Sequence, residues 1–158
     1  MANIFSGSEM VQIGIQIEKN GRDFYNVLEK QSTDEKSKEI FRYLSREEEK
    51  HIKVFEEILS SAENYEPAEA YPGEYSNYMI TLASESIFTQ AGKGAELAKK
   101  VKSEKEAVEK GIGFEKDSII FYEGMKKVVL GYSVGLVEQL IVQEQLHLKK
   151  LIELRGVI

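Results

Sequence analysis

Glu48-Glu49-Lys50-His51 and Glu144-Gln145-Leu146-His147 contain the two histidines of this 158-residue chain, each with a glutamate three places before it. Residues three apart share one face of a helix, so each pair can turn a carboxylate and an imidazole toward one point. A single Glu-x-x-His is a weak signal. Given 24 glutamates in 158 positions, the chance that both histidines carry one at that spacing is about 0.02 for random placement.

The flanking sequence repeats with helical period. Phe41, Leu44, Phe55 and Ile58 predict a helix over 35–61 whose apolar seam is interrupted only by Glu48 and His51. Val137, Leu140, Leu151 and Leu154 do the same for a helix from 133 or 134 to 154, with Glu144 and His147 in the gap. Two further helices are predicted. The first covers 8–31, on Val11, Ile15, Tyr25 and Leu28, with Ser6 or Ser8 as cap; the other covers 103–130, on Val108, Ile112, Ile119, Tyr122 and Met125, capped by Ser103 with Glu106 three residues on. Each of these surrounds one glutamate, Glu18 or Glu115, with apolar residues.

Ser32, Thr33 and Asp34 form a short break, as do Gly131 and Tyr132, and short connections make antiparallel neighbours. Between 63 and 102 the pattern weakens around Pro67, Pro72, Gly73, Gly92 and Gly94, although 75–90 can form a helix. This stretch reads as a long crossover. The expected fold is all-α, a single domain over 1–158: a four-helix bundle of two antiparallel hairpins joined by that crossover, which is the ferritin-like arrangement.

The hairpins also repeat one another. Glu18-Lys19, followed by Phe24-Tyr25, matches Glu115-Lys116, followed by Phe121-Tyr122, at an offset of 97, and the two Glu-x-x-His pairs match at 96. The midpoint of 18 and 48 is 33, inside the first break, and that of 115 and 144 is 129.5, beside Gly131. Each lone glutamate is thereby level with its pair, about 22 Å from its turn at 1.5 Å per residue. A buried carboxylate without a partner is disfavoured by several kcal/mol, roughly. Four of them at one level call for cations, and the candidate ligands are Glu18, Glu48, His51, Glu115, Glu144 and His147. Four carboxylates and two neutral imidazoles balance two divalent ions. Mixed oxygen and nitrogen ligation suits iron or manganese, and zinc can compete.

Simpler readings exist for the parts. A lone histidine on an apolar face is commonly a satisfied core residue, and a charged seam position can set helix register. Tyr25 and Tyr122 read as core packing with a satisfied hydroxyl in preference to a redox relay. Glu47, Glu49, Glu56, Glu57, Glu123 and Glu138 fall off the seams and read as solvated surface. Gly14 and Gly21 flank Glu18 on its own face, where they allow a neighbouring helix or a small ligand to come close.

Composition removes other classes. A net charge of -6 argues against nucleic acid as a partner, and the absence of cysteine rules out disulfides, thiolate zinc and cysteine-ligated iron within this sequence. No apolar run approaches the roughly 20 residues of a membrane helix, and the first residues lack a signal-peptide pattern. The expected location is the cytoplasm.

At the lone glutamates and the Glu-x-x-His pairs, the chain resembles the rubrerythrin-like branch of the ferritin-like superfamily. The resemblance spans all four bundle helices. It implies two irons held by Glu18, Glu48, His51, Glu115, Glu144 and His147, with Glu48 and Glu144 bridging, and reaction with peroxide or dioxygen. Rubrerythrins proper add a carboxylate three residues after the glutamate of the third helix, where this chain has Ser118, and they carry a rubredoxin domain, which needs cysteines. The implied function is a di-iron oxidoreductase that reduces peroxide or dioxygen with electrons from an external donor protein, with a homo-oligomer as one assembly. Two alternatives stay open: a protein that oxidises and stores iron, and a non-catalytic helical module with a structural metal.

Overall fold

The turn that makes the first hairpin is built on Asp34. Its carboxylate accepts from the backbone N–H and the hydroxyl of Ser37, both at 2.8 Å, and so caps the helix that follows. The computed structural model describes residues 7–62, 74–85, 87–127, 129 and 131–158. Helices α1 (Gly7–Gln31) and α2 (Glu35–Ala62) flank this turn. The crossover contributes α3 (Glu74–Glu85), a 3₁₀ turn (Ile87–Thr89) and α4 (Lys93–Lys99), and α5 (Glu104–Met125) and α6 (Gly131–Arg155) complete the bundle. No strand occurs among the described residues.

The closest packing is within hairpins, α1 on α2 and α5 on α6, and the hairpins meet through α1 on α5 and α2 on α6. All eight seam residues expected on α2 and α6 are buried, as are Val11, Tyr25, Leu28, Val108, Ile112, Tyr122 and Met125; Ile15 and Ile119 are half-buried against them. Each fully buried leucine or phenylalanine in this set contributes about 1.5–3 kcal/mol. The seams do not exhaust the core. Phe24 and Phe114 are buried too, because Phe88 of the crossover packs on both, with ring centroids 5.4 and 4.5 Å away.

Several helix boundaries differ from expectation. Ser103 caps α5 as foreseen, accepting from the Glu106 N–H at 3.1 Å, but α5 stops at Met125 rather than near 130. The N–H groups of Lys126 and Lys127 turn back to Tyr122 and Gly124, which tightens and ends the last turn. Gly131 and Tyr132 are the first residues of α6 and not a linker. Ser8 lies inside the first turn of α1, and Ser6 is outside the described residues. The crossover residues 63–73, with Pro67, Pro72 and Gly73, also lie outside them.

Gly92 and Gly94, expected to break structure, instead begin α4. Gly92 takes the left-handed conformation at its N-cap, φ 77°. Gly94 meets α1 so closely that a Cβ there would lie 2.0 Å from the Asn20 carbonyl oxygen. The buried Asn20 side chain fastens this contact, donating to the carbonyls of Phe88 (2.6 Å) and Gln90 (2.7 Å) and accepting from the Gly94 N–H (3.0 Å). The crossover is thus tied to α1 two residues from Glu18.

Candidate metal centre

Glu18 on α1, Glu48 and His51 on α2, Glu115 on α5, and Glu144 and His147 on α6 are all buried and converge at mid-height in the bundle. The structure brings together every residue that the seam gaps and the matched levels had selected. Their mutual distances divide them into two similar halves. His51 Nδ1 lies 3.3 Å from Glu18 Oε2, 3.3 Å from Glu48 Oε2 and 2.7 Å from Glu144 Oε1. His147 Nδ1 lies 3.5 Å from Glu48 Oε1, 3.2 Å from Glu144 Oε2 and 3.8 Å from Glu115 Oε1. Glu48 and Glu144 therefore each offer one oxygen to either half, and Glu18 and Glu115 serve one half each. The two imidazole rings lie nearly parallel, their centroids 5.3 Å apart.

Surrounding groups hold these side chains in place. The Tyr25 hydroxyl donates to Glu115 Oε1 at 2.6 Å, and the Tyr122 hydroxyl donates to Glu18 Oε1, so each hairpin's tyrosine holds the other hairpin's glutamate. Both tyrosines are buried, packed and satisfied. His51 Nε2 faces Gln143 Oε1 at 2.6 Å, an acceptor that keeps Nε2 protonated and turns Nδ1 toward the carboxylates. The ring of the exposed Tyr43 stands at right angles to that of His147, with centroids 6.1 Å apart.

Fit to a metal is tested by what the cluster leaves unsatisfied. Glu18 Oε2, both oxygens of Glu48, His51 Nδ1, Glu115 Oε2 and Glu144 Oε1 are buried without a properly oriented hydrogen-bond partner. Native interiors rarely tolerate such groups. Here they are aimed at common points, and Glu48, His51, Glu144 and His147 each place a ligand atom within 4.8 Å of all the others. The donor set and its geometry suit metal binding.

Electrostatics without metal show the same crowding. Burial, and then the charges of Glu48 and Glu144, push the Glu18 carboxyl well above the usual range; burial and the same two charges do so for Glu115. Burial acts against the ionised Glu48 and Glu144, but contacts with Glu18 and both histidines lower Glu48, and those with Glu115 and both histidines lower Glu144. Burial likewise opposes a charged imidazole, yet the neighbouring carboxylates outweigh it, raising His51 and bringing His147 to about 9.

Other expected residues fall as follows. Glu56, Glu57, Glu123 and Glu138 are exposed, whereas Glu47 and Glu49 are half-buried and paired with Lys50 (2.6 Å) and Arg22 (2.8 Å), not freely solvated. Gly14 and Gly21 admit neighbouring side chains: a Cβ on Gly14 would meet Met125 at 2.9 Å, and one on Gly21 would meet Phe114 at 2.5 Å. Ser118 is buried with its hydroxyl donating back to the Phe114 carbonyl at 2.9 Å. Gln143 and Asn20 were not singled out from sequence.

A family model described as Rubrerythrin matches residues 9–155. No curated protein sequence matches. Among solved structures, a crystal structure of a Thermotoga maritima protein, there proposed to be a ferritin-like diiron-carboxylate protein, aligns with a TM-score of 0.73 and 24% identity. The alignment covers 97% of this chain and 96% of that one, so the likeness in fold extends over both. Among the described residues, no helix is long and apolar enough to cross a membrane.

Proposed function

Since the chain belongs to the rubrerythrin family, we propose that it holds two iron ions on Glu18, Glu48, His51, Glu115, Glu144 and His147 and reduces peroxide or dioxygen with electrons from a separate donor protein. One observation carries this reading: Glu48 and Glu144 each present one oxygen to the His51 half and one to the His147 half. A pair of carboxylates so divided fits two ions that share them. In this assignment Glu18 with His51, and Glu115 with His147, complete the separate halves.

Two ferrous ions, when bound, supply two electrons and coordination positions for a small oxidant. The chain's own part is to bind, orient and exclude water. The Tyr25 and Tyr122 hydroxyls hold one oxygen of Glu115 and of Glu18, leaving the other oxygen of each free to ligate. Gln143 fixes the ring of His51. Full burial of all four carboxylates keeps bulk water from competing for them and strengthens their attraction for cations.

The test is anaerobic loading with Fe(II), elemental analysis per chain, and stopped-flow addition of peroxide or dioxygen, with Glu115→Ala and Glu144→Ala as controls. Two ions per chain and oxidation much faster than in the controls support the reading. Two ions without accelerated oxidation would replace it with a structural metal site.

A further inference from the structure

The crossover does more than connect the hairpins. Between it and α5 lies a cleft of about 350 Å³, walled by Phe88 and Leu97 and floored by Gly113 and Phe114 of α5. The Asn20 side chain bonds the Phe88 carbonyl at 2.6 Å and accepts from the Gly94 N–H at 3.0 Å, and so ties both crossover segments that contribute to the wall to α1.

Behind the floor is the carboxylate cluster. A Cβ on Gly21 would lie 2.5 Å from Phe114 Cζ and 3.5 Å from Glu48 Cδ. The missing side chain of Gly21 is thus filled by the tip of the Phe114 ring, which stands beside the Glu48 carboxyl group. Phe114 therefore lines the cleft and also brings its ring tip within about 6 Å of the Glu48 carboxyl carbon. The internal repeat supplies a control: offset by 97, Phe114 corresponds to Ile17 and Gly21 to Ser118, so the opposite side of the cluster has neither the ring nor the glycine.

We propose that this cleft is the route by which a small uncharged oxidant reaches the cluster, and that Phe114 is the residue that gates it. The inference rests on the proposed reaction. The wall chemistry selects the occupant: a hydrated ferrous ion would have to shed water against Phe88 and Phe114, which is strongly unfavourable, while dioxygen or neutral peroxide would not. The exposed Glu109, Lys110 and Asp117 around the cleft leave its outer part polar and hydrated. Phe114 packs on Phe88 and on Tyr25 at centroid distances of 4.5 and 6.0 Å. Its ring can tilt away from Gly21 only if these neighbours yield, so its size should control the rate of passage.

Two measurements test this. In the chain kept redox-silent with zinc, dissolved dioxygen under pressure should broaden the NMR signals of Gly21 and Phe114 more than those of other interior residues. Strongest interior broadening beside Tyr43 and Gln143 would overturn the route. In Fe(II)-loaded protein of unchanged metal content, Phe114→Leu should be oxidised faster than Phe114→Trp by about tenfold, equivalent to about 1.4 kcal/mol in the barrier. Parallel runs with peroxide and dioxygen show which oxidant the gate distinguishes. If the original protein is oxidised but both variants match it with both oxidants, Phe114 is not a gate. If the original protein is not oxidised at all, the proposed reaction fails instead, and the dioxygen broadening decides the route by itself.

Discussion

Filling the cluster with two divalent ions should expel about four protons per chain. In the metal-free protein, Glu18 and Glu115 are pushed up by burial and by the charges of Glu48 and Glu144, which favours their protonated forms. His147, raised to about 9, and His51, raised as well, are charged at neutral pH. Two ionised carboxylates, Glu48 and Glu144, then face two imidazolium rings, and the metal-free cluster is neutral. Metal binding needs all four carboxylates ionised and both rings neutral. Two doubly charged ions thus take the place of four protons, and the cluster is neutral again.

The sign follows from these directions. All four proton-binding groups have raised values in the folded state, so folding without metal takes up protons. The contribution of His147 is present below the ordinary histidine value of roughly 6.5 and is lost as pH rises through about 9. Metal-free stability should therefore fall from pH 7 toward pH 10, while metal affinity rises. With four protons exchanged, the combined association constant for both ions should climb by up to about 10⁴ per pH unit. Calorimetric titration with zinc at pH 7, in buffers of different ionisation enthalpy, reads the released protons directly. A release of one proton or none would refute the charge assignment of the cluster.

Four further outcomes are expected. Glu48→Gln should weaken zinc binding by more than about 100-fold, but Glu49→Gln, which removes only a half-buried pair with Arg22, by less than about threefold; competition with a chelator measures both. Tyr25→Phe strips the donor from Glu115 Oε1 and should destabilise the metal-free chain by about 1–3 kcal/mol in urea unfolding, with Tyr122→Phe matching it at Glu18. Gly94→Ala drives a methyl into the Asn20 backbone and should lower the melting temperature sharply, while Gly135→Ala, in open space on α6, should add up to about 1 kcal/mol. Gln143→Leu frees the His51 ring and should weaken metal binding by about tenfold or more with little change in fold by circular dichroism.

The bundle and the cluster were legible in the sequence for one reason: a charged residue in an apolar seam conflicts with its surroundings. Glu48 between Leu44 and Phe55, and Glu144 between Leu140 and Leu151, make that conflict visible because the helical period forces them inward. Without such a conflict, sequence still speaks through a local cap, as with Ser103 and Glu106, and says less elsewhere. The end of α5 could not be placed because Val129 and Leu130 continue the apolar pattern, whereas the helix is ended by a backbone turn onto Gly124. Glu47 and Glu49 read as surface because their partners, Lys50 and Arg22, are ordinary charges, one of them on another helix. Gly92 and Gly94 read as breakers since the use of a glycine depends on what approaches it, and Asn20 is more than 70 residues away along the chain.

The repeat offers a sharper way to separate binding from what serves it. Every group that touches the centre of the cluster has a twin in the other hairpin: Glu18 and Glu115, Glu48 and Glu144, His51 and His147, Tyr25 and Tyr122. One close approach is paired as well. Gly14 meets Phe55, and its twin Gly111 meets Leu151, which is the twin of Phe55. The surroundings break the symmetry. Asn20, which ties the crossover, corresponds to the exposed Asp117 beside the cleft; Gln143, which holds His51, corresponds to Glu47, which pairs with Lys50. The ligand geometry is nearly two-fold, but the crossover covers one side and a glutamine orients one imidazole. Two ions held in such a frame, as proposed, would have the same kinds of ligand and different second neighbours. Differences in reactivity between the two positions would then have sources outside the six residues, in Gln143 beside His51, Tyr43 beside His147, Phe114 and the Asn20 tie.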